Sequence, residues 1–276
     1  MIDRAFSLGI YAIIALVIAT FGWIIGDVII KGISVVSWEF LISEPEDAGR
    51  AGGIAPILVS TLYVLIIALV IALPLGISAA IWLAEFSQNQ SHTLHVGIIL
   101  DVLAGVPSIV YGLFGNAFFC IYLGLGYSLL SGGLTLACMI LPVFIRTCES
   151  GIRSVQSDWR LGGLALGMRR SVVIWKILLP AAKPAIIAGL ILSIGRATAE
   201  TAALLFTSGY VDRMPESIFD SARVLAVHIY DLTMNVTGGD ETAYGSALIL
   251  IVLIILLNTL AQGFIDSWFK RSGHYR

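Results

Sequence analysis

Residues 54–83 read IAPILVSTLYVLIIALVIALPLGISAAIWL and contain no charged side chain. An α-helix rises about 1.5 Å per residue, and a bilayer core of about 30 Å needs roughly 20 apolar residues. This stretch therefore predicts a membrane-spanning helix. Five further stretches meet the same length, namely residues 8–30, 96–123, 127–145, 185–207 and 247–265. The sequence thus predicts an all-α, polytopic membrane protein with six transmembrane helices in a single domain, residues 1–276.

The overall composition agrees with a membrane protein. Apolar residues make up 58% of the chain and charged residues 12%, and the mean hydropathy is +0.95. These values exclude a soluble domain of this length. A net charge of -2 gives no reason to expect a nucleic-acid partner, so the expected environment is the lipid bilayer. The three cysteines and four histidines show no metal-ligand spacing, and no metal site is expected.

Basic residues are distributed unevenly between the two sides of the predicted bundle. With both termini placed in the cytoplasm, eleven of the 16 lysines and arginines lie on the inner side, four lie on the outer side, and Arg196 lies in the membrane. Cytoplasmic loops are enriched in Lys and Arg, so the sequence predicts cytoplasmic N- and C-termini. Asp27 and Asp101, near the ends of their predicted spans, are expected to face the membrane interfaces.

One inner loop, residues 150–183, is long and basic, and it interrupts the bundle between the fourth and fifth predicted spans. Its pattern predicts a helix over residues 155–166, a break at Gly167 and a second helix over residues 171–179. The first helix has an apolar face surrounded by arginines, which favours docking to a soluble partner. That face consists of Leu161, Leu164, Ala165 and Met168. The alternative is an ordinary basic loop retained for topology.

The spacing in this loop resembles that of a known loop family. Gly167, nine further residues and then Ile177-Leu178-Leu179-Pro180 match the G-x9-I-x-L-P core of the EAA loop of ABC-importer permeases. The resemblance implies a coupling helix seated in a groove of an ATP-hydrolysing subunit. It implies coupling contacts for Leu161, Gly162, Gly163, Leu164, Ala165, Gly167, Ile177 and Pro180. The family's Glu-Ala-Ala falls on Leu161, Gly162 and Gly163, and each glycine weakens a helix by roughly 1 kcal/mol relative to alanine.

The stretch GRATAETAALL, residues 195–205, places both signs of charge inside the fifth predicted span. An arginine at the centre of a bilayer costs roughly 2.5–3.5 kcal/mol on insertion scales. On a continuous helix Glu200 would lie about 6 Å beyond Arg196 on nearly the same face, so the pair is predicted to neutralise itself in part. A ridge of small residues on this helix predicts close packing against another helix: Gly189, Ser193, Ala197 and Thr201.

Three uses of the charged pair are open on these observations. The pair can be a structural ion pair that fixes packing, although buried pairs are not reliably stabilising. Glu200 can be a proton relay in a self-sufficient carrier. In the third use, Arg196 presents its planar guanidinium to a passing oxyanion while Glu200 holds the arginine in place. We take this anion path as the leading hypothesis.

Four stretches resemble one subfamily of ABC-importer permeases. Residues 195–209, GRATAETAALLFTSG, resemble the (A/G)-R-A-x-(A/G)-E-T-A-P-L-L-F-T-A-G run of the PstA permeases of bacterial phosphate importers. Residues 52–86, 103–115 and 141–150 are similar to the second span, the third span and the LP-x3-RT-x-E stretch of the same family. The resemblance implies the type I ABC-importer permease core and a substrate path with Arg146, Arg196 and Glu200. It departs at Ala203, where proline is usual.

The chain contains no G-x4-G-K-[ST] run, so it does not build its own P-loop for ATP. We therefore expect no enzyme activity and no cofactor in this chain, with ATP and Mg on a separate ATPase subunit. The resemblance implies three partners in the bacterial plasma (inner) membrane system: a sister permease (PstC-like), an ATPase dimer (PstB-like) and a phosphate-binding protein (PstS-like). The expected function is the import of inorganic phosphate into the cytoplasm.

Three alternatives to phosphate import stay open. A permease for another oxyanion, such as molybdate or tungstate, would share the inner-loop signature but is not expected to carry the RATAET run. A stand-alone proton-coupled carrier would use Glu200 and would need no ATPase, which leaves the inner loop unexplained. A sensor without flux would bind partners and transport nothing.

Overall fold

The computed structural model describes residues 2–87 and 90–271. Arg276, one of the eleven basic residues predicted on the inner side, lies outside the described residues. The long helices are α1 (Ile2–Ile33), α3 (Ala55–Ile81), α6 (Leu129–Ser154) and α13 (Asp240–Arg271). The shorter ones are α2 (Trp38–Ile42), α4 (Gln90–Gly105), α5 (Ser108–Gly115), α7 (Ser157–Ala165), α8 (Arg170–Val173), α9 (Leu179–Ala181), α10 (Lys183–Thr198), α11 (Ala202–Leu205) and α12 (Leu225–Met234).

Irregular segments complete the chain. π-helical turns cover Trp82–Phe86, Asn116–Tyr122 and Ile174–Leu178. The loop before α3 contains a 3-10 turn, Asp47–Gly49, between two short strands, β1 (Pro45–Glu46) and β2 (Ala51–Gly52). The strands pair antiparallel, with Pro45 opposite Gly52.

Within the described residues, four helical segments are each long and apolar enough to cross a bilayer: Gly9–Ile33, Ala55–Phe86, Leu129–Ser154 and Asp240–Ser267. Two further pairs are bent, Thr93–Gly105 with Ser108–Tyr122 by 95° and Arg170–Ala181 with Lys183–Thr198 by 67°. Counting each bent pair as one span gives up to six, the predicted number, although Arg170–Ala181 lies in the loop between α6 and α10 and only Lys183–Thr198 falls in the predicted fifth span. The predicted fold class is therefore confirmed, whereas the third and fifth predicted spans are not single continuous helices.

The third predicted span, residues 96–123, is broken at Pro107. Proline lacks the N–H that would donate to the carbonyl of Leu103, and the residue before a proline disfavours helical geometry. The Leu103 carbonyl accepts the N–H of Val106 at 3.1 Å and the hydroxyl of Tyr111 at 2.9 Å instead. A turn at the break and a side chain from beyond it thus satisfy the freed backbone group together.

The fifth predicted span is broken by its own glutamate. α10 ends at Thr198, and α11 begins at Ala202. In a continuous helix the N–H of Ala203 would donate to the carbonyl of Ala199. Here it donates to Oε1 of Glu200 at 3.1 Å, so the carboxylate replaces the backbone acceptor and the helix does not continue.

The core lies where α3, α6 and α10 pack together. Phe144 of α6 is 1% exposed. A Cβ on Gly76 of α3 would collide with its ring, and a Cβ on Gly189 of α10 would lie 3.1 Å from Cδ2, so glycine permits the close approach of the three helices. Ser193 and Ala197 of the predicted ridge are buried as well. The ridge is confirmed up to the end of α10, and its fourth member lies beyond that end.

α12 covers the end of α3 that lies farthest from the loop between α6 and α10, residues 155–182, which we call the coupling loop. The N–H of Leu225 donates to Oγ1 of Thr61 near the start of α3, at 2.9 Å. His228 is fully buried and packs against Gly49, where a Cβ would lie 2.9 Å from the imidazole Cε1. The loop before α3 and the segment after α11 therefore form one packed layer.

Candidate anion path and coupling loop

Arg196 lies two residues before the end of α10. The small face of α10 packs on α6, and Arg196 is directed toward α4, where Nη1 donates to the carbonyl of Ala104 at 3.4 Å. The side chain is half-buried. Within residues 2–87 and 90–271, no carboxylate lies within 4.0 Å of its guanidinium nitrogens. A guanidinium in this state can bind an oxyanion through two parallel hydrogen bonds.

The predicted ion pair between Arg196 and Glu200 is wrong for this structure. The prediction assumed one continuous helix, on which residues four apart share a face. Because α10 ends at Thr198, Glu200 leaves that face, and its carboxylate accepts the N–H of Ala203. Glu200 is half-buried, but it does not neutralise Arg196.

Arg146 of α6 has carboxylates on both sides of its guanidinium. Nε and Nη2 donate to Asp101 of α4 at 2.8 and 3.0 Å, and Nη1 donates to Glu149 at 3.0 Å. α4 leaves room for this group at Gly97, where a Cβ would lie 3.1 Å from Nη1. Asp101 joins α4 to α6, because tertiary packing brings a cation from 45 residues later in the chain against it. Its expected position at a membrane interface stays a prediction.

A cavity of about 1060 Å³ lies between α4, α6 and α10 on the side of the coupling loop. Its charged lining consists of Asp101, Arg146, Glu149 and Arg153. Glu149 is 3% exposed and is held by Arg146 at 3.0 Å and by Arg153 at 2.9 Å. The two cations are thus balanced by two carboxylates. An anion that enters this cavity competes with Asp101 for Arg146.

The coupling loop joins α6 to α10 over residues 155–182, because residues 150–154 belong to α6. Its predicted first helix is observed as α7, and the predicted break at Gly167 is confirmed. Gly167 has a φ of +75°. Its N–H donates to Leu164, and the N–H of Met168 donates to Gly163, which is the Schellman geometry that ends helices. The second predicted helix is observed as α8, a π-helical turn and α9.

α7 and the residues after it present an apolar surface. Leu161, Leu164 and Leu166 are 63%, 47% and 79% exposed, and Ala165 is exposed as well. Met168 is 37% exposed. Exposed apolar patches of this kind mark interaction sites. Docking of this surface to an ATPase stays a prediction.

The two glycines that replace the EAA alanines have different surroundings. Gly163 is buried, and a Cβ there would lie 3.0 Å from Cδ1 of Ile177 and 3.0 Å from Cγ2 of Val173. Gly162 is exposed, and a Cβ there would meet nothing within 4 Å. Ile177 therefore packs beneath α7, and only Gly163 has a packing reason to be glycine.

Pro180 lies in α9 at the end of the coupling loop. It lines a second cavity, of about 600 Å³, together with Trp159 and Lys183. Lys183 forms an ion pair of 2.6 Å with Asp266 of α13. The end of the loop is thereby tied to a long helix.

Sequence reasoning missed two acidic residues, Glu85 and Glu149, and gave Asp101 an expected position but no partner. Glu149 follows Arg146 by three residues on one helix, a spacing typical of ion pairs that was available in the sequence. Asp101 is a charge within an apolar run, which is by default a functional hypothesis. Glu85 pairs with Arg160, 75 residues away, so no local signal pointed to it.

Comparison with known proteins agrees with this architecture. Residues 72–271 match the family described as the inner membrane component of binding-protein-dependent transport systems. The chain belongs to this family, and it is a multi-pass permease of the ABC-importer class. The probable ABC transporter permease protein YqgI of Bacillus subtilis is 34% identical over 272 residues, which cover 93% of this chain and 91% of that protein.

A second relative carries the name suggested by the RATAET run. The phosphate transport system permease protein PstA of Mycobacterium leprae is 33% identical over 251 residues, which cover 88% of this chain and 81% of that protein. Among solved structures, a bacterial ABC transporter involved in the import of the acidic polysaccharide alginate matches with a TM-score of 0.63 at 14% identity, over 93% of this chain and 96% of that chain. The predicted resemblance to PstA permeases and the predicted permease core are confirmed. The match to the solved structure supports the fold alone.

Proposed function

We propose that this chain is the transmembrane permease subunit of an ATP-driven importer that moves inorganic phosphate into the cytoplasm. The observation that carries the proposal is Arg196, whose guanidinium has one long bond to a backbone carbonyl and no carboxylate partner among the described residues. A charge within a membrane span is unfavourable unless something compensates it. A phosphate ion supplies that compensation and matches the planar fork of the guanidinium.

The path runs from Arg196 toward the cavity at the coupling-loop side. Arg146 lines that cavity and is the second cation that the anion meets. Glu200, fixed on the N–H of Ala203, sets the turn that follows Arg196. In this scheme Arg196 binds the anion first and Arg146 binds it next. After the anion leaves Arg146, the ion pair between Arg146 and Asp101 forms again.

The partners proposed for this subunit follow from its class. An ATPase dimer (PstB-like), which carries ATP and Mg, docks on the coupling loop. A sister permease (PstC-like) completes the path, and a phosphate-binding protein (PstS-like) delivers the anion from outside. The chain lies in the bacterial inner membrane with both termini cytoplasmic. The Mycobacterium leprae relative supports phosphate as the substrate, since its name assigns it to phosphate transport.

Another oxyanion is the second candidate substrate. A guanidinium binds tetrahedral oxyanions in general, and the name of the Bacillus subtilis relative gives no substrate. Molybdate and tungstate therefore stay as alternatives. A proton-coupled carrier that uses Glu200 differs from these importers, because it needs a proton gradient and does not need ATP.

The test is uptake of labelled phosphate by phosphate-starved cells that lack this chain and other phosphate importers, with and without restoration of the chain. Labelled molybdate is measured in parallel. Rescue of phosphate uptake alone, insensitive to protonophore while ATP remains, supports the proposal. Rescue of molybdate alone points to the other oxyanion, and collapse with protonophore at constant ATP points to a carrier.

The variant Arg196→Lys tests the role of the guanidinium. We expect normal amounts of the protein in membranes and uptake reduced on the order of 10- to 100-fold, because charge-assisted hydrogen bonds contribute about 1.5–3 kcal/mol and an ammonium lacks the fork. Arg213→Lys is the control, since Arg213 is exposed and lies outside the proposed path. Normal uptake by Arg196→Lys would refute an oriented anion contact.

A further inference from the structure

The end of α3 nearest the coupling loop is held by arginines. α3 ends in the π-helical turn Trp82–Phe86, and carbonyl groups at such an end need partners from elsewhere. Arg153 donates to the carbonyl of Leu83 at 2.8 Å, and Arg170 donates to the carbonyl of Glu85. Cations are favoured here because the helix macrodipole is negative at its C-terminal end.

The side chain of Glu85 forms an ion pair with Arg160 of α7. The distance from Nε to Oε1 is 2.8 Å, and the side chains of Arg160 and Glu85 are 22% and 9% exposed. The other nitrogens of Arg160 donate to the carbonyls of Ile152 and Val155, at the end of α6. Arg160 therefore joins α7, the end of α6 and the end of α3 at one point. We call the set Glu85, Arg153, Arg160 and Arg170 the arginine clamp.

The pair of Arg160 with Glu85 connects α7 to the end of α3. It has nine residues, fewer than the roughly 12–15 at which an isolated helix becomes stable in water. Its buried residue, Gly163, rests on Val173 and Ile177 of the same loop. Among the described residues, the pair with Glu85 is the only ion pair that α7 makes.

We propose that Glu85 is the positioning residue through which movement of α7 is transmitted to α3. This rests on the proposed function, because it requires an ATPase that docks on the coupling loop. When α7 moves, the buried ion pair carries the end of α3 with it. α3 in turn packs through Gly76 against Phe144 of α6, the helix that supplies Arg146 to the cavity. With the ion pair broken, α7 still docks through its exposed leucines and stays bonded to the end of α6 through Arg160, but its movement no longer reaches α3.

The test compares Glu85→Gln with the wild type in the complete transporter, reconstituted in proteoliposomes. The measured quantity is the amount of labelled oxyanion imported per ATP hydrolysed. We expect ATP hydrolysis to continue and the ratio to fall on the order of tenfold, which corresponds to about 1.4 kcal/mol. Glu39→Gln is the control, since Glu39 is an exposed glutamate of α2 at the opposite end of the molecule. A variant ratio equal to that of the wild type overturns the proposal.

A second variant guards against loss of assembly, since removal of one partner of a buried pair is strongly destabilising. Arg170→Gln keeps the ion pair and removes the carbonyl contact and the stacking on Phe86, whose ring centroid lies 4.8 Å from the guanidinium. We expect a fall in the ratio of about threefold, in line with the loss of a weak, exposed cation–π contact. An unchanged ratio in this variant also counts against the clamp.

The double variant Glu85→Gln/Arg160→Gln separates a shared link from two independent effects. If the two residues act as one link, the double variant loses no more coupling than the worse single variant, whereas fully additive losses overturn the proposal. The ratio is measured with the oxyanion that the wild type imports. An error in the substrate assignment therefore appears in the uptake by the wild type. An error in the role given to the clamp appears in the ratio measured for the variants.

Discussion

Arg146 is bound by Asp101 through two parallel hydrogen bonds, from Nε to Oδ1 at 2.8 Å and from Nη2 to Oδ2 at 3.0 Å. This bidentate geometry is also the one in which a guanidinium binds a phosphate or another oxyanion. Asp101 thus occupies the place that an anion would take on Arg146, whereas Arg196 has no such competitor among the described residues. In the proposed path, Arg196 accepts the anion directly, and Arg146 must first release Asp101.

Asp101→Asn is therefore expected to keep the anion at Arg146. Loss of the competing carboxylate favours the bound anion by about 1.5 kcal/mol, the lower value for a hydrogen bond to a charged group. Phosphate loaded inside proteoliposomes should then inhibit ATP-driven uptake at concentrations about tenfold lower than for the wild type. The measurement is a set of uptake rates at increasing internal phosphate.

Asp27→Asn provides the matched control for that experiment. Asp27 also pairs with a cation, Lys31, at 2.9 Å, but it lies near the end of α1 and lines no part of the cavity. We expect its sensitivity to internal phosphate to equal that of the wild type. Equal sensitivity of the two variants would show that Asp101 does not compete with the anion.

Glu200 is expected to tolerate loss of its charge but not loss of its acceptor. Glu200→Gln keeps an oxygen for the N–H of Ala203, and the missing charge leaves no broken ion pair with Arg196. Glu200→Ala removes the acceptor and should cost about 1 kcal/mol, as loss of a helix cap does. Thermal unfolding of the purified proteins in detergent distinguishes the two. If Glu200→Gln lost as much stability as Glu200→Ala, the charge of Glu200 would contribute to stability, contrary to this prediction.

The long apolar runs predicted the membrane helices well, because their length and lack of charge depend only on local sequence. Residues 54–83 were predicted as one span, and the segment Ala55–Phe86 is observed. Gly167 was predicted as a break, and its positive φ reflects a conformation that glycine adopts at low cost. Both signals are carried by a few neighbouring residues.

The errors arose where distant groups decide the structure. The pairing of Arg196 with Glu200 assumed a continuous helix, and a side-chain contact to Ala203 interrupted it. Asp101 finds its partner 45 residues away and Glu85 finds its partner 75 residues away. Helix packing determines these contacts, and spacing in one sequence does not reveal them.

The paired glycines of α7 give a test within one helix. Gly162→Ala should stabilise α7 by about 1 kcal/mol, because a Cβ there meets nothing within 4 Å. Amide hydrogen exchange in α7 should then slow by about fivefold. Gly163→Ala should give no such gain, since its Cβ would lie 3.0 Å from Ile177 and Val173. Equal protection in both variants would mean that α7 does not rest on these side chains.

His228 makes the layer around α12 sensitive to acid. Burial lowers the pKa of His228 to about 4, with a further lowering by Arg223 and an opposing effect of Asp231. The guanidinium of Arg223 lies 3.4 Å from Nδ1 of His228 and 3.0 Å from the Asp231 carboxylate. Nε2 has no hydrogen-bond partner among the described residues. The folded layer therefore favours the neutral imidazole.

Because the pKa of His228 is lowered in the folded state, the unfolded chain binds a proton first as pH falls below about 6.5. The contribution of neutral His228 to the free energy of unfolding is therefore complete above that pH. It is lost progressively toward pH 4, where the folded state also takes up the proton. One pKa unit corresponds to about 1.4 kcal/mol, so we expect a measurable fall in thermal stability between about pH 6.5 and pH 5, above the range in which most carboxylates titrate. His228→Gln should flatten this slope, whereas His95→Gln, at an exposed position of α4, should keep it. An unchanged slope in His228→Gln would assign the acid sensitivity to another group.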